Sequence, residues 1–201
     1  DGAVTFGDAA ADTLTLQTGD VTIETTGAGD TLTVNAATDG PRDLILNIAD
    51  ATTFAAAVGA AGAGTELGDG AGRAITINSP GATTFQSTLE TRSGIHQAGT
   101  AGTVTFQAGV TAAAGDTDSA FDGSVILDGI TFASGGGITF GSDGADALTL
   151  QTGAVTLQPA GALTVNAATD GGVDLILDAS GAATFNGTVG FTTALGSGAG
   201  A

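Results

Sequence analysis

The chain has 201 residues, 35 of them Gly and nine Phe, with no Cys, Met, Trp or Tyr, and its 21 acidic residues against three Arg (Arg42, Arg73, Arg92) give a formal charge of −18. A charge of that sign repels phosphate backbones and anionic lipid, which argues against nucleic-acid and membrane partners, and the lack of Cys removes disulfides and thiolate metal sites. The 42% hydrophobic content sets the chain apart from charge-rich disordered tails, and no stretch approaches the roughly 20 apolar residues of a membrane span.

Along the chain one local word recurs: apolar, Thr, apolar. It opens with Val4-Thr-Phe6, Leu14-Thr-Leu16, Val21-Thr-Ile23 and Leu32-Thr-Val34, and returns at Ile75-Thr-Ile77 and Val104-Thr-Phe106. It closes with Ile130-Thr-Phe132, Ile138-Thr-Phe140, Leu148-Thr-Leu150, Val155-Thr-Leu157 and Leu163-Thr-Val165. Period-two alternation predicts short half-buried strands with the outer pair inward and the central Thr outward. Leu44-Ile-Leu46 and Val125-Ile-Leu127 are the variants expected to be buried on both faces. Phe54–Ala63 is long enough for one helical turn, but Gly59 and Gly62 weaken it. Between the words stand Gly, Asp, Asn and Ala clusters of turn-forming character, and most of the acidic residues are Asp, which favours turns by hydrogen-bonding its own backbone.

The words are organised by a duplication. LTLQTG at Leu14–Gly19 returns at Leu148–Gly153, LTVNAATDG at Leu32–Gly40 returns at Leu163–Gly171, and Asp43-Leu-Ile-Leu46 returns as Asp174-Leu-Ile-Leu177. The match ends with LGDGAG at Leu67–Gly72 against LGSGAG at Leu195–Gly200. Residues 1–72 and 136–200 are thus copies of the same part of a repeat unit and 73–135 the intervening part, and the chain is expected to be a window on a longer tandem array. The expected domain organisation is one continuous segment over 1–201.

Strand spacing alone fits a β-sandwich or a β-solenoid. Very short strands of nearly constant bulk favour the solenoid. Two buried apolar side chains give about 1.5–3 kcal/mol each, whereas ordering ten residues costs on the order of 1–2 kcal/mol per residue. A single coil is therefore unstable, and stacking supplies the difference. At about 25–30 residues per coil the chain makes roughly seven coils. Asp128-Gly129, a good two-residue hairpin turn, is the feature that supports the sandwich of β-repeats as the alternative.

The phrases VTF, TLTLQTG, LTVNAATDG, ITINSPGATTF and ATFNGTVGFTTALGSGAG resemble the strand repeats of very large bacterial surface proteins, the filamentous-haemagglutinin-like "β-strand repeat" adhesins. The resemblance implies an all-β, right-handed parallel β-helix, secretion to the extracellular space or cell surface, and a role as stalk, fibre or adhesin. It brings no catalytic residues.

Chemistry-bearing residues are few. Gly141-Ser-Asp143-Gly144-Ala-Asp146-Ala-Leu148-Thr149 follows the calcium-binding nonapeptide except for Ser142. Asp116, Asp118 and Asp122 place three carboxylates in seven residues but lack the later ligands of an EF-hand loop. Calcium on these five Asp is the metal reading, against plain solvated turns, and no other cofactor is expected. Outward Thr in Thr13-Leu-Thr15, Thr31-Leu-Thr33 and Thr103-Val-Thr105 suits a flat array that orders water or ice, and equally the ordinary outer face of a strand. His96 is the only His, with no G-x-S-x-G nucleophile to serve and no Lys for a phosphate loop. No enzyme is expected. The expected function is a structural segment of an extracellular fibre, self-associating end to end. The alternative is an adhesin whose lateral face meets carbohydrate or a host surface, with ice binding and calcium-dependent adhesion behind it. Phe6, Phe54, Phe85, Phe106, Phe132, Phe140 and Phe185 are the expected large core contacts.

Overall fold

A computed structural model describes residues 2–59, 66–99, 102–113, 118–190 and 193–196. The chain winds as a β-solenoid. The first coil is β1 (Val4–Phe6), β2 (Thr13–Thr15) and β3 (Val21–Glu24), and the second is β4 (Leu32–Val34), β5 (Ala37–Asp39) and β6 (Leu44–Asn47). The third has β7 (Thr52–Phe54), isolated bridges at Val58 and Leu67, and β8 (Arg73–Ile77). The fourth is β9 (Thr83–Phe85), β10 (Leu89–Thr91) and β11 (Gly94–Gln97); the fifth is β12 (Val104–Phe106), β13 (Val110–Ala112) and β14 (Ser119–Phe121). The sixth is β15 (Val125–Asp128), β16 (Thr131–Ser134) and β17 (Ile138–Phe140); the seventh is β18 (Ala147–Gln151), β19 (Val155–Pro159) and β20 (Leu163–Val165). A last rung holds β21 (Ala168–Asp170), β22 (Leu175–Leu177) and β23 (Ala183–Phe185). Among the described residues there is no helix, and the possible turn at Phe54–Ala63 is instead a strand end and a bridge as far as Gly59, with 60–65 outside the described residues.

First strands stack into sheet A, second strands into sheet B and third strands into sheet C, so eight rungs in sheet A mark about seven turns. Every registered strand pair is parallel, which excludes a β-sandwich of hairpins. The Asp128-Gly129 hairpin is accordingly corrected: β15 lies in sheet A and β16 in sheet B, and Gly129, at φ 61°, turns a corner between them. A hairpin and a solenoid corner need the same positive φ, so the dipeptide does not tell them apart. Down sheet A, Val4 lies beside Leu32, Leu32 beside Thr52, Thr52 beside Thr83, Thr83 beside Val104, Val104 beside Val125 and Val125 beside Leu148. A turn therefore takes 20 to 31 residues, mostly nearer the lower figure than the expected 25–30.

The outer residues of each word point in. Phe54, Phe85 and Phe106 stack face to face with centroids 5.1 and 5.3 Å apart, because they are register partners in sheet A. One coil on, Phe106, Phe121, Phe132 and Phe140 meet across all three sheets, mostly edge to face. Five of the expected Phe are fully buried, Phe121 joins them, and Phe6 and Phe185 are half-buried on the end coils. Ile45 and Ile126 are outward and half-buried, not buried on both faces, since no second layer of described residues covers the outer side of the wall.

The duplicated words do not return to the same sheet. LTLQTG forms β2 in sheet B but β18 in sheet A, LTVNAATDG starts β4 in sheet A but β20 in sheet C, and DLIL forms β6 in sheet C but β22 in sheet B. The second copy is displaced by five coils and two faces. A word therefore encodes in and out, and not which face it occupies. Corner geometry travels with it: Gly40 and Gly171, at φ 129° and 149°, close the repeated word, and a Cβ on either would collide with the carbonyl of Leu16 or of its counterpart Leu150.

Candidate functional site

Among the described residues, the Asp singled out for calcium lie apart: Asp118 before β14, Asp122 after it, and Asp143 and Asp146 together before β18. Before β18, Asp146 Oδ2 accepts from Ser142 N (2.8 Å), Asp143 N (3.2 Å) and Ser142 Oγ (3.0 Å), while Asp143 Oδ1 accepts from Ala145 N (2.7 Å). The first copy repeats this turn: Asp12 Oδ2 accepts from Asp8 N and Ala9 N, and those backbone donors hold its carboxyl below the usual range. In this geometry the Asp organises a turn. Asp118 accepts from Gly137 N one coil away, Asp122 faces His96, and Asp116 lies outside the described residues.

A different acidic group does converge. Asp20, Asp43 and Asp69 bring carboxylate oxygens within 4.8 Å of one another at the corner between sheets B and C. They come from three successive coils, so no local motif contains them; the readable signal is Asp placed just before an apolar word, as in Asp20-Val21 and Asp43-Leu44. Burial, with the charges of Asp69 and Asp20 added, raises the Asp43 carboxyl above its ordinary value. Oxygen donors of this kind suit a hard cation. The second copy keeps Asp174 but has Ala154 in place of Asp20, so the group is not carried by the repeat.

The side of sheet A is a ladder of hydroxyls. Thr5, Thr33, Thr53, Thr84 and Thr105 follow one another in register, then Ile126 and Thr149, before Asp170 ends the rank. Thr31 and Thr103 lie on this face, but their neighbours two residues before the ladder are Ala51, Ala82, Ser124 and Ala147, so one rank of Thr is regular and the adjacent rank is mostly smaller. Thr13 and Thr15 belong to sheet B.

His96 sits in β11 with Nε2 3.5 Å from Asp122 Oδ2, while Nδ1 is buried without a partner. Burial first, then the Arg73 guanidinium, holds the imidazole below its ordinary value against the pull of Asp122. This environment favours neutral imidazole with its proton toward Asp122.

The two ends differ from the sides. Among the described residues, β1, β2 and β3 each have a strand on one side only, as do β22 and β23 at the other end. There Leu175, Leu177, Phe185, Val189 and Leu195 line an open apolar hollow of about 450 Å³. These features define the class: a parallel β-solenoid built from an internally duplicated repeat. Beyond that class, no family model, curated protein or solved structure matches the chain.

Proposed function

We propose that the chain is a structural segment of an extracellular fibre, stalk or filament of a bacterial surface protein, joined end to end with other copies or as a covalent tandem array. The observation that carries this reading is the uninterrupted stack of parallel coils, each covered by the next. Parallel strands with an open edge accept a further strand, and a heterologous contact that does not close on itself propagates as a filament. The sides are polar walls, and the core residues supply rigidity. The extracellular, bacterial setting comes from the resemblance of the repeat words to surface-protein repeats. No catalytic role is assigned to His96, which is directed at the Asp122 carboxylate.

Sedimentation velocity over a range of concentrations tests the self-association. The wild type should form larger species as concentration rises, and Val189→Lys, which puts a charge on the apolar end, should shift it toward single rods. A concentration-independent monomer would overturn the end-to-end reading.

The uncharged Thr ladder of sheet A favours a second reading, an adhesin that meets carbohydrate or a host surface side-on. A glycan array with the wild type and with Thr53→Lys/Thr84→Lys separates the two: binding lost in the variant supports lateral adhesion, and no binding by either removes it.

A further inference from the structure

The duplication provides an internal comparison for the apolar end. Leu175, Leu177, Phe185, Val189 and Leu195 are the counterparts of Leu44, Leu46, Phe54, Val58 and Leu67. In the first copy all five are at most 1% exposed. Their cover is the next coil: Leu44 and Leu46 lie beside Ile75 and Ile77 of β8, Phe54 stacks on Phe85 of β9, Val58 bridges Leu89 of β10, and Leu67 bridges Thr91. In the second copy the same positions line the hollow, with Val189 49% and Leu177 42% exposed.

We infer that this end is a seat for a coil with the sequence of residues 73–93, supplied by another repeat unit. The inference rests on the fibre reading and names the partner coil and its rotation. Because every repeated word moves on by two faces, a β8-type strand lies over β22, a β9-type strand over β23 and a β10-type strand over Val189. The seated coil is thus turned from sheets C, A and B to sheets B, C and A.

Polar contacts as well as apolar ones carry over. In the first copy the fully buried Ser79 hydroxyl donates to Leu46 O (3.3 Å) and accepts from Ile48 N (3.0 Å), and Asn78 Nδ2 donates to Asn47 Oδ1 (2.9 Å). The counterparts, Leu177 O and Ala179 N, are backbone groups that any sequence retains. Asn47 becomes Asp178, whose carboxylate already accepts from Gln158 Nε2 (3.0 Å) and suits an Asn donor. The first coil of another chain is a poorer occupant when like words stack. Its Glu24, at the position of Asn78 in the register, would set a carboxylate against Asp178.

The test extends the full chain after Gly200 with the sequence of residues 73–93 and compares it by hydrogen exchange with a chain carrying a scrambled extension. The seat predicts exchange slowed roughly tenfold or more at the amides of 175–177 and 183–189 with the native-order extension alone. Equal exchange in the two extended chains would overturn it. Placing Pro at the Ser79 position of the extension should remove the protection, and protection that survives this change would also count against the seat. Sedimentation keeps the two ideas apart: a protected extension in a chain that never self-associates leaves the seat standing without the fibre, and filaments from a chain whose extension stays unprotected leave the fibre without the seat.

Discussion

At the scale of single residues, what sets this core apart is its buried hydroxyls. Thr52 and Thr83 are inward register partners in sheet A, each beside a stacked Phe, and their Oγ1 atoms are buried with no hydrogen-bond partner. Their small size leaves room for the rings of Phe54 and Phe85, but an unmade hydrogen bond in the interior is costly. Thr83→Val keeps the shape and removes the polar atom, so it should raise unfolding stability by about 1 kcal/mol in denaturant titration; a loss of similar size would show that the hydroxyl is bonded after all. His96 gives a pH-dependent prediction. Its folded pKa lies below the ordinary 6.5, so the unfolded chain takes up the proton first as pH falls. The stability that neutral His96 contributes is complete above 6.5 and is lost as pH falls from 6.5 toward the folded midpoint. NMR of this single His should place its titration below 6.5, and His96→Gln should flatten the stability change between pH 7.5 and pH 5.5; a midpoint above 6.5 would reverse the sign.

At the scale of the strand, the apolar–Thr–apolar word was legible because period-two alternation is enough to separate inside from outside. Other strands were not. Leu89-Glu-Thr91, Gly94–Gln97, Ser119-Ala-Phe121 and the two Ala-Thr-Asp strands lack the word, and in the last two Thr38 and Thr169 face inward. Such segments are strands because the coils above and below offer a complete ladder, a non-local cause that propensity does not register. The same limit hid the Asp20, Asp43 and Asp69 group, whose members are neighbours only once the register is known. The aromatic layer shows how much one element depends on its stack. Phe140 is fully buried, parallel to Phe121 at 5.4 Å and edge-on to Phe132 at 6.2 Å. Phe140→Asp removes these contacts and buries a carboxylate, a loss of more than about 4 kcal/mol. Thermal unfolding followed by circular dichroism should lose its cooperative transition, while Phe140→Leu should retain one at lower temperature; an unchanged midpoint for the Asp variant would contradict the inward ring.

At the scale of the molecule, the duplication and the fold run at different periods. The repeat advances by five coils and two faces, so identical sequence serves sheets B and A, or A and C, equally well. That tolerance has a simple physical basis, since each wall asks for two inward apolar side chains and one outward polar one, and each corner asks for a Gly or Asp turn. It also explains why the sequence predicted a stack of coils more readily than their length, the corners being shorter than the spacing of words suggested. A stack of interchangeable coils has no intrinsic stopping point, and this is the physical ground for the proposal that the chain is part of a fibre. Cryo-electron microscopy of the assembled material tests this most directly. The account predicts continuous rods in which the coil spacing of about 4.8 Å runs unbroken across the junction between copies. Separate short rods at every concentration, with both ends open, would contradict it.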